Sequence, residues 1–337
     1  MWKDKSTAAT AKKEIANREG VYTISLAPGE GGEYGSGYLS LTVGKDGNVK
    51  ATGKLADGTS VSATSPLMYD EDAGWFVYLY AAPSAYKGGA FAAAVGFDVS
   101  TAVSSKPPYR LQPVMFTPWW SSKNPLATGE YGAGFDRDVS FVGAYYDKLQ
   151  KLNDYYEALR LSFDGGLGEA ALPRLGYVYK ETYLDDLGRK TTDLVNMEAE
   201  AVDTLWQDGL TATVNEKGAI VVAKATKPEQ DKETKEWAYN GSNDGALTLS
   251  FAQATGIFKG SYTFWYDYMS AYDETTEKDT WAHASKKASF EGILVQGDEP
   301  TMDGFYLWDA TGTYEDEKTG KAKTYKYKTS FPVSLKP

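Results

Sequence analysis

The chain has 337 residues, of which 42% are apolar and 14% aromatic, enough for packed cores and far from a disordered composition. Its net charge of −11 disfavours nucleic acid and anionic lipid as partners, and no Lys/Arg cluster offsets it. There is no cysteine, which removes disulfides, thiolate metal sites and cysteine nucleophiles.

The length suggests two domains of similar size. Residues 1–20 are polar and Ala-rich up to Gly20, which suits a short helix with a glycine stop. They lack the apolar core of a signal peptide, and no run reaches membrane-spanning length. The chain therefore reads either as cytoplasmic or as the mature form of an exported protein, with no membrane insertion.

Residues 21–143 read as a first β-barrel-like domain. In "GYLSLTV" and "NVKATGKL", Leu39, Leu41, Val43, Val49, Ala51 and Leu55 alternate with polar residues, so one face is apolar. The Asp-Gly pairs Asp46-Gly47 and Asp57-Gly58 supply the positive-φ glycine of a tight hairpin. "WFVYLYA" and "GGAFAAAVGF" continue an antiparallel meander, and the Pro-marked residues 105–143 close it into a barrel, with strand-like runs at 115–119 and 135–142.

Across residues 144–173 the period changes. Tyr145, Leu149, Leu152, Tyr156 and Leu159 recur every three or four positions, which predicts an amphipathic helix ending in a Gly-rich linker at 164–173. Residues 174–337 form the second β-barrel-like domain. There "LTATVNEKGAIVVAKAT" echoes "LSLTVGKDGNVKATGKL" at one constant offset, which points to duplication. Pairing of "TGIFKGSYTF" with "KASFEGILVQG" would turn Phe258 and Phe290 inward and point Lys259 and Glu291 to solvent as a cross-strand charge pair. The chain ends in strands around a turn at 316–321. The predicted fold class is all-β: two antiparallel meander β-barrel-like domains, duplicated, with one amphipathic linker helix.

The combination of "GKLADGTSVSATSPL", "YGAGFDRDVSFVGAYY", "TGIFKGSYTF", "FEGILVQG" and "GFYLW" resembles a family of bacterial exported or surface proteins with paired β-barrel-like repeats, often downstream of immunoglobulin-like modules. The resemblance implies fold and an export route, hence an extracellular or cell-surface location, and carries no catalytic constellation. The aromatic segment 265–287 is longer than the hairpin the resemblance implies.

The residues offer little chemistry. His283 is the single histidine, so only carboxylates could complete a metal or general-base site around it, and the GxSxG elbow of a serine nucleophile is missing. Asp267, Glu291 and Asp309 are the carboxylates nearest to a hydrolase pair. "YDEDAG" and "YDETTEKD" cluster oxygen donors but do not match a twelve-residue calcium loop. The Gly-dense residues 29–37 lack the lysine of a phosphate loop. No catalytic residue, metal ligand or cofactor is assigned. The aromatic runs carry the remaining signal: Trp119, Trp120, Trp265, Tyr266, Tyr268 and Trp281 form a candidate binding platform, or else they cover a barrel end or a domain junction. The expected function is a non-enzymatic structural, adhesion or assembly protein. Its partners would be surface glycans, other surface proteins or further copies of itself. A carbohydrate-binding module is the alternative, followed by a carboxylate-based glycoside hydrolase.

Overall fold

The structure is a computed structural model that describes residues 5–28, 35–98, 110–123, 135–163, 174–200, 211–234, 237–238, 241–297, 299–316 and 321–337. Helix α1 (Lys5–Arg18) precedes ten strands of a first sheet. These are β1 (Gly20–Pro28), β2 (Gly37–Val43), β3 (Asn48–Lys54), β4 (Ser60–Pro66), β5 (Met68–Asp70), β6 (Gly74–Ala81), β7 (Phe91–Asp98), β8 (Arg110–Pro113), β9 (Trp119–Ser122) and β10 (Phe135–Tyr145). The second sheet and a small two-stranded ladder follow. They comprise β11 (Ala158–Ser162), β12 (Arg174–Leu184), β13 (Lys190–Glu200), β14 (Thr211–Val214), β15 (Ile220–Val221), β16 (Glu229–Gln230), β17 (Trp237–Ala238), β18 (Thr248–Ala252), β19 (Ile257–Asp273), β20 (Lys278–Val295), β21 (Thr301–Asp316) and β22 (Lys321–Lys336).

The first sheet is a curled, barrel-like meander in the order β4-β3-β2-β1-β10-β8-β7-β6-β5. Strand β10 joins the two halves by pairing with β1 on one side and with β8 and β9 on the other. The alternation in β2 and β3 sends Leu39, Leu41, Val43, Val49 and Ala51 into one core with Val77, Leu79, Phe91 and Trp120. Helix α1 lies against this unit: Tyr22 Oη donates to the carbonyl of Arg18 at 2.9 Å, and the Arg18 guanidinium lies 5.2 Å from the Trp75 ring centroid. Met115 has φ of 66° and precedes β9 in an irregular segment, so the expected strand at 115–119 begins only at Trp119.

Seven strands of the second sheet, β15-β14-β11-β22-β21-β20-β19, run in the same order as β3-β2-β1-β10-β8-β7-β6 of the first. In each unit the last strand closes on the first. This shared order matches the duplicated, all-β frame expected from the sequence. The lengths differ: β6 and β7 have 8 residues each, whereas β19 and β20 have 17 and 18. The inner halves of the long strands bury Phe258, Tyr262, Phe264, Phe290, Tyr306 and Trp308 in the second core. Their outer halves run on as ladders beyond it, and β12 pairs in parallel with the outer end of β19.

The echo between the two hairpins is a shared turn. Gly44 N–H donates to Asn48 O and Gly47 N–H to Gly44 O, and Asn215, Ala219 and Gly218 repeat both bonds at the same offset. Gly47 and Gly218 have φ of 78° and 77°, as a turn closed by a left-handed glycine requires. The same ring recurs at Leu55–Thr59 and Asp185–Arg189, so the turn type is general in this chain.

The amphipathic helix predicted over Tyr145–Leu159 does not form. β10 ends at Tyr145, a short 3-10 turn spans Leu152–Asp154, and β11 starts at Ala158. Tyr146, Leu152, Tyr156 and Leu159 are buried as expected, but Leu149 is 74% exposed and breaks the helical stripe. Backbone bonds go across the chain instead: Tyr146 N–H donates to Val21 O at 2.8 Å and Asp147 N–H to Gln296 Oε1 at 2.6 Å. The Gly-rich linker at 164–173, residues 29–34 and most of the 316–321 turn lie outside the described residues.

The two units pack directly on each other. Tyr38, Ala144, Ile293, Val295 and Phe305 form a buried apolar cluster, with Ile257 and Leu307 against it. Backbones approach closely here: a methyl group on Gly35 would lie 2.3 Å from Phe305 Cβ, and Ser36 N–H donates to Gly304 O at 2.9 Å.

Candidate functional site

The β19–β20 ladder has two faces, fixed by cross-strand partners and by alternation along each strand. One face, Phe258, Tyr262, Phe264, Ala288 and Phe290, fills the second core. Lys286 closes its outer end, with Nζ 4.2 Å from the Trp308 ring centroid and donating to the Asp309 carbonyl at 2.9 Å. Burial there lowers the Lys286 pKa, which the nearby Asp309 charge opposes.

At its inner end the other face meets the first unit. Lys259 and Glu291 are cross-strand partners 3.4 Å apart, as the sequence predicts. Glu291 is not an outward surface residue, however. Its side chain is 14% exposed and also accepts from Tyr38 Oη at 2.8 Å and from Lys54, both in the first unit. Burial alone would raise the Glu291 pKa, but hydrogen bonds from Lys54 and Tyr38 and the charges of Lys54 and Lys259 reverse this, leaving it lowered. Burial and the Glu291 charge push the Tyr38 phenol pKa well up.

Farther out, the same face carries a run of aromatics and acids. Trp265 pairs with Ser285, Asp267 with His283 and Met269 with Trp281. The register then slips by one residue between Met269 and Ala271, so that Tyr272 comes opposite Asp279. Without this bulge at Ser270, Tyr272 would sit on the opposite face. The ring of His283 stacks on Trp265 at a 5.5 Å centroid separation and 10° between planes, and His283 Nδ1 lies 2.6 Å from Asp267 Oδ1. The Trp265 indole N–H donates to the Asp244 carbonyl at 3.0 Å. Trp281 is 61% exposed, with its indole N–H donating to Asp279 Oδ2 at 2.6 Å. The strands end in a turn at 274–277, where Glu277 has φ of 48°.

The sequence-predicted platform is thus divided. Trp120 is 2% exposed in the first core, and Trp119, on the outer side of the same strand, is half-buried. Both are far along the chain from the hairpin and belong to the other unit. Trp265 and Trp281 share the outer face of β19–β20, and Tyr268 lies on the reverse of that ladder. The side chain of Tyr266 lies outside the described part of the structure. Met269, Tyr272, Asp279 and His283 join the face although the sequence reading did not place them there. The alternation was present in 265–283, but the bulge that brings Tyr272 round leaves no mark in residue types.

The carboxylates do not assemble a hydrolase pair. Asp267 and Glu291 are eight ladder positions apart, about 27 Å at strand rise, and Asp309 stands roughly 14 Å from Glu291 by the same count, beyond the ~5–9.5 Å such pairs need. Among the described residues no group of three or more His, Cys, Asp or Glu is placed to hold a metal ion. Among them, too, no helix is long and apolar enough to cross a membrane. The class defined by this geometry is an all-β protein of two packed barrel-like units, the second with elongated β19–β20 and β21–β22 hairpins. Comparison of the chain with protein families, with curated proteins and with solved structures finds no match.

Proposed function

We propose that the chain is a non-enzymatic protein of the extracellular space or cell surface, serving structure, adhesion or assembly through its outer β19–β20 hairpin. The observation that carries this reading is Trp281, 61% exposed on an outer stretch of ladder that runs past the length of its counterpart β6–β7. An indole left in water forgoes the gain of burial, and large rings exposed on a rigid element are a common feature of contact surfaces. The resemblance of the strand and turn motifs to exported repeat proteins supports the location.

The test is attachment. Beads coated with the chain should adhere to intact cells or deposited matrix, and a variant with residues 267–283 replaced by a two-residue turn should not. Equal adhesion by the shortened variant would overturn the role of the hairpin. Sedimentation over a wide concentration range examines assembly, where a strict monomer at every concentration counts against that part. A second reading, a carbohydrate-binding module, draws on the flat Trp281 ring with the Asp279 carboxylate at its edge. A glycan array without a hit would sink it.

A further inference from the structure

Building on the hairpin as contact element, we infer that the outer face of β19–β20 recognises a cationic segment of a partner polypeptide, an extended stretch carrying Arg or Lys side chains. The face from Trp265 to Tyr272 on one strand and from Asp279 to Ser285 on the other holds three large aromatics, Met269, His283 and two aspartates, and no Lys or Arg. Trp281 is exposed and Trp265 and Tyr272 are half-buried; indole and phenol rings beside carboxylates are surroundings in which guanidinium and ammonium groups bind.

The same ladder face already receives one cation. At its inner end, Lys54 of the first unit, the cross-strand partner of Tyr38, pairs with Glu291. On the reverse of the hairpin, Asp273 is met by Lys190 at 2.7 Å. Asp267 and Asp279, by contrast, form no ion pair with any Lys or Arg among the described residues; their bonds are to His283 and to the Trp281 indole. The outer face therefore continues the face that meets the first unit, past the exposed Lys287 opposite Thr263, with two aspartates that no in-chain Lys or Arg among the described residues pairs with. A net charge of −11 adds a long-range pull on a basic partner.

Spacing narrows the partner. His283, opposite Asp267, and Asp279 are four residues apart on β20, about 13 Å at strand rise. That matches side chains four apart on an extended peptide laid along the ladder. The Ser270 bulge fits the same purpose, because it turns Tyr272 onto the face beside Trp281 and Asp279.

The experiment is fluorescence anisotropy with a labelled octapeptide of threonines carrying arginine at its second and sixth positions. Saturable binding that weakens with salt is expected, whereas the peptide with glutamine in place of arginine should not bind. Trp281→Ala should weaken binding roughly three- to thirty-fold. Asp267→Asn with Asp279→Asn should remove most of the salt dependence. Glu216→Gln with Glu233→Gln, an equal change of two charges at the exposed turns after β14 and β16, should leave binding unchanged. Unaltered thermal unfolding of each variant shows that the fold is intact. Equal binding of the glutamine peptide, unchanged affinity in Trp281→Ala, or binding of a neutral oligosaccharide in place of the arginine peptide would each overturn the inference. If the shortened hairpin abolishes attachment while the arginine peptide never binds, the contact role stands and the cationic partner falls. If shortening leaves attachment intact, the contact role itself falls.

Discussion

Tyr38 in β2 donates its phenolic hydroxyl to Glu291 in β20 at 2.8 Å, across the junction between the two units. The carboxylate also meets Lys54 and Lys259, so one largely buried side chain joins three strands from both halves of the molecule.

Glu291→Gln should cost about 1–3 kcal/mol at neutral pH, the usual result of weakening a largely buried charged hydrogen bond. The folded pKa of Glu291 is lowered, so its contribution is present above the unfolded carboxyl value and is lost as pH falls through the folded one. Urea unfolding should therefore separate wild type and variant at neutral pH, and the gap should close as pH falls below the ordinary glutamate value of about 4.3.

Asp57 should behave in the opposite sense. Burial raises its pKa despite hydrogen bonds from Thr59 and from Tyr86, whose hydroxyl lies 3.0 Å from Oδ2. A raised carboxyl pKa contributes stability below the unfolded value that is lost as pH rises through the folded value. Relative to wild type, Asp57→Asn should thus gain stability between about pH 4 and neutrality, as unfolding midpoints at a series of pH values will show.

Gly58 and Gly74 offer a controlled comparison. Both have left-handed backbones, with φ of 81° and 70°, but a methyl group on Gly58 would fall 2.6 Å from Leu307 Cδ1 of the other unit while one on Gly74 meets nothing within 4 Å. Alanine at either position should cost about 1–2 kcal/mol for the backbone alone. The excess at Gly58, read from denaturant midpoints, measures how tightly the units pack.

Trp120→Ala should destabilise by about 3–5 kcal/mol, as for other buried aromatics. Trp281→Ala should stay within about 0.5 kcal/mol, because the ring is already in water. Equal losses in calorimetry would mean that Trp281 is structural.

Local rules made much of the fold legible. Alternation at Leu39–Val43 and the Asp-Gly turns reported the meander, because period and turn chemistry are properties of a few neighbouring residues. Phe258 and Phe290 turned inward, and Lys259 faced Glu291, for the same reason. The segment 145–159 misled because its buried residues come from a strand end, a 3-10 turn and a new strand, which together imitate a helical spacing. Only tertiary bonds, such as Asp147 N–H to Gln296, distinguish the two. Likewise nothing local to Glu291 reveals that Tyr38, 253 positions earlier, will cover it. The aromatic residues 265–281 stood out by composition, but their division between two faces depends on pairing.

The slip at Ser270 also bears on how such a surface changes over generations. Side chains point to alternate faces, yet losing Ser270 itself would only close the bulge, with Met269 still opposite Trp281 and Tyr272 still opposite Asp279 on the same face. A codon lost just before it, at Asp267, would instead bring Tyr268 and Ser270 onto that face in one event, the bulge absorbing the shift and the barrel-like unit beneath staying untouched. Relatives that differ in what they hold should accordingly differ here in length before they differ in composition.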